Sequence, residues 1–325
     1  MKLSAVIMAG GKGSRLYPLT EKTPKPLLPI NNIPNIVKIL GEVSRLGIKR
    51  AVVSTGYLGE KMQKEVGSSV YDVDVKYAHE EKALGSAGGV KNASKLAEGD
   101  LLVISGDAVF EGDLRDMIKS HYEKGADVSI ACTEVEDTSR FGVLVTDKEG
   151  RIVGFCEKPK AGECDSKLIN IGIYIISREI MDALPDETPI DFSLDVFPNI
   201  IKEKKMIAWK SDDYWCDMGT LSSYLECNMR YSRGENIIGK NCNISPDADI
   251  RGSVIFDGVT VEAGAVVRDS LICSGAHICS GAGVADGSVV GTGCTVGAAE
   301  VLSAGSVCMA DDKNEALAAS SVGTN

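Results

Sequence analysis

The 325-residue chain has no run of about 20 apolar residues, the length a membrane-spanning helix needs. Its apolar start, Leu3 to Met8, gives way to glycines too soon to be read as a signal peptide. Ten cysteines are present, yet the two nearest in sequence, Cys273 and Cys279, stand six apart, so no CxxC redox or zinc spacing occurs. They read as buried reduced thiols, since a free cysteine packs as a small hydrophobe. A basic surplus is also missing: 35 Lys and Arg face 46 Asp and Glu, a formal net charge of -11. That balance argues against nucleic acid or an anionic membrane as main partner, because phosphate backbones draw basic surfaces. Any phosphate ligand must then be held by a few local groups. The three histidines, His79, His121 and His277, form no visible catalytic triad. The expectation is a cytoplasmic protein.

Up to about residue 232, short apolar runs alternate with segments of helical period. LSAVIMA precedes NIVKILGEVSRLG; RAVVSTG precedes LGEKMQKEVGSS; LLVISGD precedes LRDMIKSHYEKG and then DVSIACTEV. Such alternation predicts an α/β fold, a doubly wound and mostly parallel sheet with helices on both faces, and ligands at the carboxyl ends of its strands. Beyond about Gly234 the helical period vanishes. Aliphatic residues recur every six positions at Val266, Ile272, Ile278, Val284, Val290, Val296 and Leu302, and an earlier set, Ile238, Ile244 and Ile250, keeps the same period in another phase. Small residues fill the gaps. A six-residue period predicts a parallel β-helix in which three hexads make each triangular coil, because a flexible linker would not hold aliphatics in register. The reading is therefore a domain over 1–232, a β-helix over 233–308 and a capping segment or disordered tail over 309–325. Open ends and apolar faces of the coils predict a homo-oligomer formed through them.

The loop Ala9-Gly10-Gly11-Lys12-Gly13 follows the first strand directly, at the phosphate position of a doubly wound fold. It is neither a Walker loop, which needs GxxxxGK and then Ser or Thr, nor a dinucleotide fingerprint, since the third glycine position is Leu16. Arg15 adds a planar cationic fork for phosphate oxygens, and Lys25, between Pro24 and Pro26, a cation on a stiffened backbone. A surface Arg or Lys is ordinarily just solvated; here the combination is what points to phosphate.

Gly10 to Pro26 meets the pattern GGxGxRLxPLTxxxPKP and so resembles the sugar-1-phosphate nucleotidylyltransferases, with its closest look to the mannose-1-phosphate guanylyltransferase branch. The likeness spans residues 1–232, and the six-residue repeat continues it, since many members carry a left-handed parallel β-helix at the carboxyl end. It implies that Ala9, Gly10, Gly11 and Gly13, with Leu84, Gly85 and Ser86 of a loop resembling LGTAG, border the nucleotide. It implies that Asp107, in LLVISGD, and Asp217, in YWCDMGT, hold Mg²⁺. On the sugar side, Gly142 of the Phe141-Gly142-Val143 stretch belongs to the set, Glu157 and Asn170 meet hydroxyls, and Lys158 holds the sugar phosphate.

The chemistry implied is nucleotidyl transfer from a nucleoside triphosphate to a sugar 1-phosphate. The acceptor is already an anionic nucleophile, so no general base is required. What is needed is neutralisation of crowded phosphate charge and in-line alignment, for which Arg15, Lys25 and Lys158 serve. GTP with mannose 1-phosphate is the expected pair; uridylyl, thymidylyl or adenylyl transfer to glucose 1-phosphate is the alternative within the family. A catalytically silent regulatory homologue and a hexapeptide-repeat acyltransferase are the alternatives outside it. The intact signature counts against the first, and His277 inside an uninterrupted hexad counts against the second.

Overall fold

The apolar run Leu3–Ala9 is a central strand, buried without a break from Ser4 to Ile7. The computed structural model describes residues 2–160 and 162–309. In it this strand pairs in parallel with Arg50–Thr55 on one side and Asp100–Ser105 on the other, and Val73–His79 extends the sheet in parallel beyond Arg50–Thr55. Counted in chain sequence, these four strands lie in the order third, second, first, fourth. The order reverses between Leu3–Ala9 and Asp100–Ser105, and at such a switch point successive crossovers leave on opposite faces, opening a crevice at the carboxyl ends.

The period of two along each strand divides the apolar residues between two cores. Ala5, Ile7, Ala51, Val53, Leu102 and Ile104 face the helix Asn35–Arg45, whose Ile36, Ile39, Leu40 and Val43 share their cluster. Val6, Val52, Leu101 and Val103 face the helix Gly85–Ser94, which contributes Ala87, Val90 and Ala93. Burial on both faces is why these strands read as continuous apolar runs and not as alternating ones. The rest of the sheet is mixed. Leu168–Ile176 runs antiparallel to Asp100–Ser105 and pairs further with Val128–Glu134 and Gly142–Thr146, which forms a hairpin with Ile152–Glu157. Its register shifts between Asn170 and Tyr174, around Gly172 at φ +79°. A side chain there would be strained, and its Cβ would come within 2.9 Å of the Ser105 side chain.

The chain folds as two compact units, the first over 1–12, 24–27 and 35–217, the second over 13–23, 28–34 and from 218 onward. This division differs from a single boundary at 232, and local packing explains it. The helix Leu221–Ser232, started by a capping box on Thr220, is fastened to the 28–34 segment: Tyr224 donates to the Pro29 carbonyl and the Asn31 N–H to Asn228 Oδ1 at 3.0 Å.

From Ile237 the second unit is the parallel β-helix that the hexads predict, left-handed as the family likeness implies, with three parallel sheets of two- and three-residue strands. The described residues complete four coils and begin a fifth with Val307–Cys308. Ile237 stacks under Val254 and Val254 under Leu271, 17 residues apart each time, whereas Leu271 stacks under Val289, 18 residues on. Each 17-residue coil loses one residue at its third corner, so the inward phase slips there. Val267, stacked with Val284, is the buried residue, and Val266 is 38 % exposed. At that corner Ser253, Ser270 and Ser288 are buried with their hydroxyls bonded to main-chain carbonyls, so no polar cost arises. Apart from Met309, the cap or tail expected over 309–325 lies outside the described residues. Among the described residues no helix is long and apolar enough to cross a membrane.

The phase slip yields a direct contrast. Ile278→Ala, at a fully buried rung, should lose about 2–5 kcal/mol, whereas Val266→Ala should stay within about 1 kcal/mol of the parent. Urea unfolding followed by circular dichroism measures both; equal losses would contradict the register.

Candidate active site

Two clefts open at the carboxyl ends of the parallel strands and share Ser105 and Asp107. The first, about 350 Å³, is lined by Met8 to Gly11, by Lys25 and Pro26, by Ser54 and Glu80, and by Gly85, Ser86 and Gly89 at the start of a helix. The second, about 220 Å³, is lined by Arg140 to Gly142, Glu157, Asn170 to Gly172, Trp215 and Asp217 among others. No histidine is among the described lining residues of either.

Asp107 sits at the seam. The turn before it is held by two contacts: the Gly106 N–H donates to the Met8 carbonyl at 2.9 Å, and buried Asn35 donates its amide to the carbonyls of Gly106 and Ala108 at 3.0 and 3.1 Å. Ala108 then pairs with Asp217 in a two-stranded ribbon, Ala108–Phe110 against Trp215–Asp217, which brings the two predicted metal acids together. Between them lies the Lys25 ammonium, 2.6 Å from Asp107 Oδ2 and 3.7 Å from Asp217 Oδ1. Lys25 occupies the short 3₁₀ turn Lys25–Leu27, closed by the Leu27 N–H on the Pro24 carbonyl, and only 9 % of its side chain is exposed. Burial pushes the Asp107 carboxyl up, but Lys25 and the Ser105 hydroxyl outweigh it and hold the group below its ordinary 3.8.

In the first cleft, Ala9, Gly10, Gly11, Gly85 and Ser86 all stand on the lining, as the sequence suggests. Leu84 precedes the helix, its N–H on Glu80 Oε2 at 3.1 Å, and Ser86 is itself engaged, donating to Asp191 at 2.7 Å. Glu80, also on this lining, is a residue that the sequence does not single out. Its other oxygen accepts from Ser54 at 2.6 Å, and it lies so close beneath Gly89 that a Cβ there would come within 2.5 Å of Oε1. The signal was available, because Glu80 directly follows the strand Val73–His79, as Asp107 follows its own strand, but Glu80-Glu81-Lys82 reads as a solvated charge run.

In the second cleft, Gly142, Glu157 and Asn170 come together. Asn170 is oriented at both ends, donating to the Tyr174 hydroxyl and accepting from the Gly172 N–H, each at 2.8 Å. Trp215 closes the wall, its indole on the Ile171 carbonyl at 3.1 Å and its ring edge-to-face with Phe141. Lys158 stands beside the cleft rather than on its lining: it takes a left-handed φ of +47°, and its side chain, 65 % exposed, pairs its ammonium with Glu157 at 3.3 Å. Arg140 is the cation on the lining itself, unnoticed in the sequence although it immediately precedes Phe141. Gly13 and Arg15 belong to the second unit, where Gly13 at φ +64° leads into the 3₁₀ turn Ser14–Leu16.

A doubly wound sheet with adjoining clefts at its strand ends, followed in sequence by a β-helix, defines the class of sugar-phosphate nucleotidyl transferases. Residues 4–234 match the nucleotidyl transferase family and residues 234–318 the family described as the GMPPB C-terminal domain. The chain belongs to the nucleotidyl transferase family, and its activity is nucleotidyl transfer to a sugar 1-phosphate. It is 33% identical over 300 residues to a mannose-1-phosphate guanylyltransferase of Mycobacterium tuberculosis, covering 82% of this chain and 83% of that protein. It is also 33% identical over 324 residues to a glucose-1-phosphate adenylyltransferase of Thermotoga neapolitana, covering 81% and 76%. Among solved structures, HddC from Yersinia pseudotuberculosis complexed with GMP-PN matches with a TM-score of 0.60 at 28% identity, over 70% of this chain and 99% of that one. A putative glucose-1-phosphate thymidylyltransferase of Bacillus anthracis matches with a TM-score of 0.64 at 26% identity, over 70% and 94%.

The Lys25 contacts set a pH-dependent test. A carboxyl held below its unfolded value stabilises above that value, and the contribution is lost as pH falls through the folded one. Without the ammonium, the burial effect on Asp107 dominates and its pKa rises, so the group destabilises the fold while it is ionised. Lys25→Met should therefore be less stable than the parent at pH 7, with the deficit shrinking as pH is lowered toward about 4. Urea midpoints across that range report it; a constant or widening deficit would contradict the pairing.

Proposed function

We propose that the chain transfers a guanylyl group from GTP to mannose 1-phosphate, giving GDP-mannose and pyrophosphate. The observation that carries the choice of base is Glu80 on the lining of the first cleft. An ionised carboxylate only accepts hydrogen bonds, and its two oxygens suit a ligand edge with two adjacent donors. Guanine has such an edge in N1–H and the 2-amino group. Uracil and thymine present one N–H between two carbonyls, and adenine one amino group beside an acceptor. One bond to each oxygen, from Ser54 and from the Leu84 N–H, leaves lone pairs free on both. The mycobacterial relative supports mannose, and the complex of the Yersinia protein with GMP-PN agrees with guanine.

In this reading the triphosphate lies along Ala9 to Gly11, with Lys25 as its cation, and the sugar lies in the second cleft against Gly142, Glu157 and Asn170. Lys158 and Arg140 balance the sugar phosphate. Asp107 and Asp217 converge within 4 Å of one ammonium, and two such carboxylates fit a hard divalent ion, so they would hold Mg²⁺. When bound, the ion supplies charge neutralisation at the α-phosphate. The Lys25 ammonium would stand beside the α-phosphate, and the sugar phosphate would attack the α-phosphorus in line with pyrophosphate leaving and no base to assist it. A cytoplasmic setting goes with a reaction that draws on GTP.

Pyrophosphate release measured for five nucleoside triphosphates against mannose, glucose, galactose and N-acetylglucosamine 1-phosphates tests the proposal. GTP with mannose 1-phosphate should lead, and Glu80→Gln should lower kcat/KM for GTP by at least about tenfold, or about 1.4 kcal/mol, relative to UTP. Asp107→Asn and Asp217→Asn should each slow turnover by on the order of 10²-fold, with little further loss in the double variant, as residues acting as a unit do. A tenfold lead for another pair, or an unchanged base preference in Glu80→Gln, would remove the substrate assignment.

Self-association through the coils belongs to the same proposal, since Val301 is 70% and Val307 41% exposed on them. Light scattering of the full-length protein should give a mass above 34.4 kDa; a monomer would end this part of the reading.

A further inference from the structure

We propose that Glu262, His277 and Cys279 form a binding site for one divalent transition metal of the zinc type on the outer face of the β-helix, remote in chemistry from the two clefts. The stacking of the coils creates it. Thr260 pairs with His277 and Val261 with Ile278, and the ladder continues one step, which sets Glu262 of the second coil against Cys279 of the third. Ile278 points inward, so His277 and Cys279 flank it on the same outer face. One potential ligand atom from each of the three lies within 4.8 Å of the others.

The acid is already placed for ligation. Glu262 Oε2 accepts from both the N–H and the hydroxyl of Ser280 at 2.8 Å, and Oε1 meets His277 Nε2 at 2.7 Å. The Ser280 hydroxyl first, and His277 next, hold the carboxyl below its usual range, so it is ionised at neutral pH. A simple carboxylate–imidazole pair would account for two of the three groups but not for a thiol beside them. One nitrogen, one sulfur and one oxygen donor suit zinc far better than magnesium, which prefers oxygen alone. All three side chains are only partly buried and can turn to reach bond lengths of about 2.0–2.3 Å. The next rung places Gly297 against Cys279, with the Glu300 carboxylate held on the Gly297 N–H at 2.7 Å, and a water can complete four ligands. On binding, the thiol gives its proton to solvent, and Nε2, which donates its N–H to the carboxylate in the metal-free protein, passes that proton to Nδ1 or to solvent and turns its freed lone pair to the metal. The bound ion would clasp the second coil to the third.

The test uses the full-length protein stripped by a chelator and titrated with Co²⁺, then with Zn²⁺ in competition. One equivalent of Co²⁺ should produce a thiolate-to-cobalt charge-transfer band that Zn²⁺ abolishes. Cys279→Ser should eliminate the band, and His277→Gln should weaken binding by at least about tenfold. Cys216→Ser, which removes the thiol next to Asp217, and Cys156→Ser, which removes the one next to Glu157, should each leave the band intact, so that neither thiol beside the clefts is its origin. Oxygen ligation of cobalt by Asp107 and Asp217 gives no such band, so the result is independent of the nucleotidyl-transfer reading. Circular dichroism in chelator confirms that each variant is folded. A parent protein without the band, or a Cys279→Ser variant that retains it, would overturn the site.

Discussion

The first unit depends on one ammonium ion shared by two acids. A nearly buried lysine costs several kcal/mol unless it is paired, and two carboxylates brought to one point repel unless a cation stands between them. Lys25, Asp107 and Asp217 resolve both problems together. Each partner arrives by a different route: a proline-bounded 3₁₀ turn for Lys25, a turn gripped by Asn35 for Asp107, and a short antiparallel ribbon for Asp217. A nucleotide and a metal entering this place would meet a pre-formed charge arrangement and not a loose cluster of side chains. Such preorganisation is what makes electrostatics effective in phosphoryl chemistry.

The placement of the clefts follows from the sheet. The switch point puts the first at the carboxyl ends of the parallel strands, and the antiparallel strands beyond Asp100–Ser105 build the second beside it. Because both use Asp107, two anionic ligands would meet beside the Lys25 ammonium. The net charge of -11 makes this local supply of cations necessary, for the surface as a whole repels phosphate. In the proposed reading, Arg140, Lys158 and Lys25 answer that constraint from separate loops.

The β-helix works by a different rule. Its strands are two or three residues long, and its stability rests on repeated inward aliphatics with corner serines bonded to the main chain. Each coil fixes the outward residues of the next at ladder spacing, so groups 15 to 18 positions apart in sequence become neighbours. Glu262, His277, Cys279 and Ser280 are one result of that rule, and the slipped phase at Val266 is another.

By itself the sequence determined what depends on near neighbours. Strand runs and helical periods specify a doubly wound beginning, a six-residue period specifies coils, and an acid that directly follows an apolar strand, as Asp107 does, has to lie at the sheet's carboxyl edge. Gly10 to Pro26 carried the family likeness for the same reason, since its groups are contiguous. Only the tertiary structure decided which distant groups meet. Lys25 and Asp107 are 82 positions apart, and strand order together with the ribbon at Asp217 brings them into contact. Glu80 and Arg140 belong to no contiguous motif, and only strand ends and loops place them on cleft walls. The buried member of the pair Val266 and Val267 was settled by a corner one residue shorter than the hexad, and the helix Leu221–Ser232 went to the second unit through Tyr224 and Asn228. Periodicity records how a residue is placed along its own element, whereas charge pairing and coil stacking depend on elements that the local pattern does not see.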